Sequence, residues 1–162
     1  MTAPAATERI EVARQLAASP PGAAEVFWDI TGWYRIWDRI SEVEVRYDDG
    51  VHQEFAMEVE RDGRLEQVRT LRFRDSREDI AFFSPDPPPG MSVHLGQWRF
   101  AETADGRGCR ATAARQYALI RTPEESDAAY AARSAAYRER FEARLGKILD
   151  CFADHFEKAS TP

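Results

Sequence analysis

The stretch from Thr122 to Phe156 constrains the fold of this chain more than any other segment. Tyr130, Ser134, Tyr137, Phe141, Leu145, Ile148, Leu149, Phe152 and Phe156 recur at spacings of three and four, which draws one apolar stripe along a helix. Thr122-Pro123-Glu124-Glu125 reads as its start: Thr122 caps free amides, Pro123 suits the first helical position, and Glu125 closes a capping box. A helix of about 30 residues is roughly 45 Å long at about 1.5 Å per residue. It has to lie across a whole sheet, and that geometry points to a gripped cavity.

The sheet is legible upstream. Glu8 to Ala17 forms a first strand, and Ser19-Pro20-Pro21 caps and opens a helix through Ala24, Phe27, Trp28 and Thr31. Gly32 breaks that helix, and Trp33 to Trp37 makes a second short helical turn. Strands follow over Glu42 to Tyr47, Val51 to Arg61, Arg64 to Arg74, Glu78 to Ser84, Met91 to Thr103 and Cys109 to Ile120. Asp48-Asp49-Gly50, Asp62-Gly63 and Ala104 to Gly108 supply turns, and Pro85 to Gly90 is a stiff exposed loop. One strand, two helices, six strands and a long helix favour an antiparallel sheet with helices on one face, an α+β architecture.

Length and charge narrow the class. A chain of 162 residues is expected to be one domain, with an ordered core over about residues 8 to 157. Mean hydropathy of -0.56 and the lack of a long apolar run argue against a membrane span. Met1 to Thr7 lacks the build of a signal peptide, which makes the cytoplasm the default location. A net charge of -6 argues against a nucleic-acid partner, because duplex affinity rests largely on phosphate neutralisation. Cys109 and Cys151 read as buried free thiols.

Alternation then picks out inward residues. In the strand from Val51 the inward set is Val51, Phe55, Met57 and Val59, with Glu54, Glu58 and Glu60 facing water. In the next strand Leu65, Leu71 and Phe73 share a parity with Gln67 and Arg69, which sends Arg72 and Arg74 outward. In the last strand Arg115 shares a parity with Ala111, Ala113, Tyr117 and Leu119. A guanidinium in an apolar interior needs a carboxylate, carbonyls, water or a ligand, so each inward arginine is either part of a structural ion pair or an anion anchor. In the strand from Met91, His94, Trp98 and Phe100 lie on one parity and Met91, Val93 and Leu95 on the other, and a bulge at Gly96 lets both contribute. His94 is then either a cavity acid or base or a packed residue; His52 faces solvent, and His155 sits near the end of the long helix.

The chain has no glycine-rich phosphate loop, dinucleotide fingerprint, nucleophile elbow or paired-histidine metal motif. Cofactor, metal and covalent-serine chemistry are not expected. Pro20-Pro21 with Phe27 to Thr31, Trp33 to Trp37 and Val43 to Val45, then Pro89-Gly90-Met91 through Gln97 to Phe100, and Gln116 to Leu119 before the long helix, carry a resemblance. The chain resembles the START-like (SRPBCC, helix-grip) superfamily, and within it the single-domain polyketide aromatase/cyclases.

The resemblance implies a seven-stranded antiparallel sheet wrapped around the long C-terminal helix, with two short helices after the first strand and a cavity between. It implies regiospecific aldol cyclisation and dehydration of a polyketide or related aromatic intermediate without a cofactor. The alternative is a binding, carrier or self-resistance protein for a hydrophobic aromatic metabolite. The partners implied are that small molecule and an acyl carrier protein, met by Arg35, Arg39, Arg121 and Arg133; the chain is a monomer or a homodimer. Arg69, with Arg72 as fallback, takes the place of the family's cavity arginine, and Tyr117, Tyr34 or His94 supplies a proton. Catalysis is thus assigned to Arg69, Tyr117 and His94, and substrate binding to Trp28, Tyr34, Trp37, Phe55, Met57, Gln67, Trp98, Arg115, Tyr137 and Phe141. The chain departs from the family where Leu65-Glu66-Gln67-Val68 replaces a tryptophan-serine-tryptophan run, where Ile40 replaces a cavity tyrosine, and in lacking asparagine altogether. These departures point to a different substrate or reaction in the same cavity.

Overall fold

The computed structural model describes residues 6–75 and 79–161. Strand β1 (Glu8–Leu16) leads to helix α1 (Pro20–Trp28) and a 3₁₀ turn (Ile30–Arg35). Strands β2 (Ile40–Asp48), β3 (His52–Arg61), β4 (Arg64–Arg74), β5 (Ile80–Asp86), β6 (Met91–Glu102) and β7 (Cys109–Leu119) follow, and helix α2 (Asp127–Ser160) closes the chain. The seven strands form one antiparallel sheet in the order β1-β7-β6-β5-β4-β3-β2. The predicted strand start at Glu78 lies outside the described residues, and β5 runs two residues into the segment expected to be a loop.

Local chemistry explains the boundaries. The Ser19 hydroxyl accepts from the Gly22 amide, and Pro at the first positions of α1 loses no helical hydrogen bond. Asp62 and Gly63 both adopt positive φ, 50° and 75°, as the tight turn between β3 and β4 requires. Helix α2 begins later than Thr122-Pro123 suggests. Ser126 caps it by accepting from the Ala129 amide, while Glu125 donates its amide to the Thr122 carbonyl in a preceding turn and gives its carboxylate to Arg133. At 34 residues α2 spans about 51 Å. No helix among the described residues is long and apolar enough to cross a membrane.

One core lies between α2, α1 and the concave face of the sheet. Phe27, Trp33, Trp98, Phe100 and Phe152 meet edge to face or stacked, with the Phe27 and Phe152 rings 3.9 Å apart. Leu145, Leu149, Phe152 and Phe156 of the α2 stripe are buried, and Tyr130 and Tyr137 are half-buried against the same core. Both cysteines are free thiols; Cys109 is buried and Cys151 half-buried.

Three expectations about the strands are corrected. In β4 the inward set is Val68, Thr70 and Arg72, while Leu65, Gln67, Leu71 and Phe73 are exposed and Arg69 is on the outer face paired with Glu54. The outer face here carries an apolar surface of Leu71, Phe73 and Phe83, so apolar identity did not mark the inside. In β6 the register shift falls between Met91 and Val93, not at Gly96. Gly96 pairs regularly with Arg115 and Phe82 but passes so close to β7 that a Cβ would sit 2.1 Å from the Ala114 carbonyl oxygen. On β3, Val51 is exposed and lies outside the strand, whereas Gln53, Phe55 and Val59 are buried and Met57 is half-buried.

Candidate functional site

A cavity of about 90 Å³ lies inside the grip of sheet and helix. The 3₁₀ turn and the segment after it contribute Ile30, Trp33 and Trp37; β3 contributes Phe55, Met57 and Arg61. Val68, Thr70 and Arg72 of β4 face it beside Phe82 of β5, His94 and Trp98 of β6, and Arg115 of β7. Helix α2 closes it with Phe141, Arg144, Leu145 and Ile148. A wider cleft of about 420 Å³ adjoins it, sharing Trp37, Arg61 and Arg144, and meets solvent between the β3–β4 turn and α2 at Arg39, Arg140 and Lys147.

The two most buried cationic groups do different work. Arg72 is held by four hydrogen bonds: its Nε donates to Gln53 Oε1 (2.8 Å), its Nη1 to the Phe27 carbonyl (2.9 Å), and its Nη2 to the Trp28 carbonyl (2.6 Å) and again to Gln53. Gln53 in turn donates to Asp48, which lends a counter-charge. This clamp ties the end of α1 to β3 and β4. Arg115 instead donates only from Nη1, to the carbonyls of Gln97 and Ala114, and its guanidinium lies over Phe82 and Trp98 at 4.6 and 4.3 Å from the ring centroids. Burial lowers the Arg115 pKa to about 9, which leaves it charged at neutral pH.

His94 sits beside these charges. Its Nδ1 is 3.1 Å from the buried Ser84 hydroxyl, and its Nε2 is buried without a hydrogen-bond partner. Desolvation, followed by the charges of Arg115, Arg61 and Arg144, pushes its pKa down to about 3, so the imidazole is neutral across the physiological range. Thr70 brings the one hydroxyl among the residues that line the cavity. No group of three or more His, Cys, Asp or Glu among the described residues is arranged to hold a metal ion.

No protein-family model and no curated protein matches the sequence. Solved structures do match in shape. The Zhui aromatase/cyclase from Streptomyces sp. R1128 superposes with a TM-score of 0.81 over 96% of this chain and 97% of its own, at 17% identity. The di-domain aromatase/cyclase BexL of the BE-7585A biosynthetic pathway gives 0.79 over 96% of this chain at 20% identity, and this chain spans 51% of it. A START superfamily protein from Mycobacterium smegmatis gives 0.75 over 94% of this chain and 99% of its own, at 11% identity. The chain has the START-like helix-grip fold.

Within that fold the expected site residues separate. Trp37, Phe55, Met57, His94, Trp98, Arg115 and Phe141 line the cavity. Arg69 and Gln67 do not, being on the outer face, and Tyr34 is exposed. Trp28 lies behind the wall, its indole N–H 3.3 Å from Asp48 and its ring flanked by Arg72 and Arg74. Tyr117 is fully buried against Tyr137 and Phe141 and reaches no cavity surface, and Tyr137 packs in the same layer. Of the basic residues expected at a mouth, Arg39 borders the cleft, whereas Arg121 and Arg133 are tied to Asp127 and Glu125 at the start of α2. Arg61 and Arg144 were missed although signals existed: Arg61 continues the parity of Phe55, Met57 and Val59, and Arg144 falls three residues after Phe141 on the apolar stripe.

Proposed function

We propose that this protein is a polyketide aromatase/cyclase-like enzyme that folds a poly-β-ketone or related aromatic intermediate for aldol ring closure and dehydration. The observation that carries the reading is Arg115, a charged guanidinium among aromatic walls with only carbonyl partners, next to a neutral histidine. The shared fold with Zhui and BexL supports the reaction class.

Ring closure removes a proton from a methylene between two carbonyls and joins that carbon to a distant carbonyl carbon, whose oxygen becomes an alkoxide and then leaves as water. Arg115 would hold the enolate oxygen and then the alkoxide, at a place where water cannot screen the attraction. Removing one such donor commonly costs about 3 kcal/mol, a hundredfold or more in rate. His94 Nε2 and the Thr70 hydroxyl would relay the proton as neutral groups. Aromatic walls restrict the chain to one near-attack shape. Arg140 and Lys147 at the cleft, where Arg39 is paired with Glu60, support delivery of the chain by an acidic acyl carrier protein.

A second reading, a binding or self-resistance protein for an aromatic metabolite, is favoured by the weakness of the base, since burial and the nearby guanidinium charges hold the His94 pKa at about 3. A polyketide synthase releasing unguided chains separates the two. A shift to one cyclised, dehydrated product in the presence of this protein supports the enzyme. An unchanged product profile with one aromatic product retained on the protein supports the binder.

A further inference from the structure

The cavity wall carries more positive charge than the protein neutralises. Of its four guanidinium groups, Arg61 has Glu66 at 3.3 Å, and Arg72 has Asp48 by way of Gln53. Arg115 and Arg144 form no ion pair with any carboxylate among the described residues. Among the described residues, hydrogen-bonding capacity is unspent in the same place: Arg61 Nε, Arg144 Nη1 and His94 Nε2, a donor when Nδ1 accepts from Ser84, are buried without a partner, and the unpartnered acceptor Glu66 Oε2 lies beside Arg61 alone. The charges of Arg115, Arg61 and Arg144 all bear on His94, so these groups from β3, β6, β7 and α2 converge. A buried guanidinium without a counter-charge is unfavourable, and uncompensated positive charge converging with free donors is the complement of an anion.

We propose that the cavity binds an aromatic carboxylate, with the carboxylate seated between Arg115 and Arg144 and the ring against Trp98 and Phe141. The guanidinium fork of Arg115 is held flat by Phe82 and Trp98, which suits a planar carboxylate taken by two parallel hydrogen bonds. Arg61 adds a third charge at the junction with the outer cleft. A cavity of about 90 Å³ holds the anionic head and little more, so the rest of the ring system extends past Trp37 into the cleft. The proposal rests on the reading of this cavity as the ligand site and adds the charge of the ligand, whether that ligand is substrate, product or cargo.

Isothermal titration calorimetry with 2-naphthoate and its neutral isostere 2-naphthamide tests it. Charge-assisted bonds in a desolvated site predict that naphthoate binds about 10- to 100-fold more tightly. The preference should survive about 0.5 M salt, because buried pairs are poorly screened, and should fall about tenfold in Arg144→Met. Arg144 is half-buried on the helix, so this variant spares the fold where Arg115→Met endangers it. Equal affinity for the two compounds overturns the anion site while leaving an aromatic-binding cavity intact. A preference abolished by salt also overturns it, because the anion then sits on the exposed rim of Arg39, Arg140 and Lys147. Binding of neither compound overturns both this proposal and the ligand-site reading beneath it.

Discussion

Replacing Arg72 with methionine should weaken the fold rather than inform about catalysis. The substitution removes four hydrogen bonds in a buried setting: Gln53 Oε1 is left without a donor, while the Phe27 and Trp28 carbonyls keep only Trp33 Nε1 and Gln53 Nε2. A hydrogen bond from a charged donor contributes about 1.5–3 kcal/mol, and relief from burying the charge returns much of the sum over the four. The net loss is then about 3–5 kcal/mol. With a urea slope of about 2 kcal/mol per molar, the unfolding midpoint should fall by roughly 2 M. Arg72→Lys restores the charge, but its three donors share one nitrogen that cannot match the planar fork, so it should recover less than half of the loss. Equilibrium urea unfolding followed by tryptophan fluorescence measures both variants. A midpoint within about 0.5 M of wild type would refute the clamp and return Arg72 to the candidates for a working cavity guanidinium.

Three further outcomes follow from the same geometry. Ser126→Ala should cost about 1 kcal/mol by removing the α2 cap and Thr122→Ala close to nothing, the reverse of what the sequence motif suggests, as measured by urea unfolding. Gly96→Ala should destabilise by at least about 2 kcal/mol because its Cβ meets backbone rather than a movable side chain, which the same assay reads. His94 has a folded-state pKa of about 3, below its unfolded value of about 6.5, so the unfolded chain binds the extra proton between them. The resulting stability is present above about pH 6.5 and is lost as pH falls toward 3, and His94→Gln should flatten that part of a pH-dependent thermal-unfolding profile.

Much of the fold was legible because it depends on period and punctuation. The α2 stripe, the turn at Asp62-Gly63 and the cap at Ser19 each act locally, and each occurs where the pattern puts it. The site was less legible because a ligand cavity inverts the rule used to find it. On β4 the inward positions hold Val68, Thr70 and Arg72, while Leu71 and Phe73 face out, so apolar parity pointed to Arg69 and Gln67 on the wrong face. A one-residue shift of parity moves every side chain of a strand to the other face, and nothing in β4 alone decides it. The β3 partner did decide it: Gln53 is inward and pairs with Arg72, a contact invisible without the register. Arg115 was legible because its β7 neighbours Ala113 and Tyr117 are small or aromatic and leave one apolar face.

The proposed chemistry belongs to the interior around Arg115 and not to the outer face of the sheet, where Arg69 pairs with Glu54. Product profiles of a polyketide synthase releasing unguided chains, run with wild type, Arg115→Lys, Arg115→Leu and Arg69→Leu and with folding verified for each, separate the two faces. Wild type and Arg69→Leu should redirect the chains to the same cyclised product and Arg115→Leu should not, with Arg115→Lys between. Loss of redirection in Arg69→Leu together with its retention in Arg115→Leu would move the chemistry to the outer face and overturn the interior site.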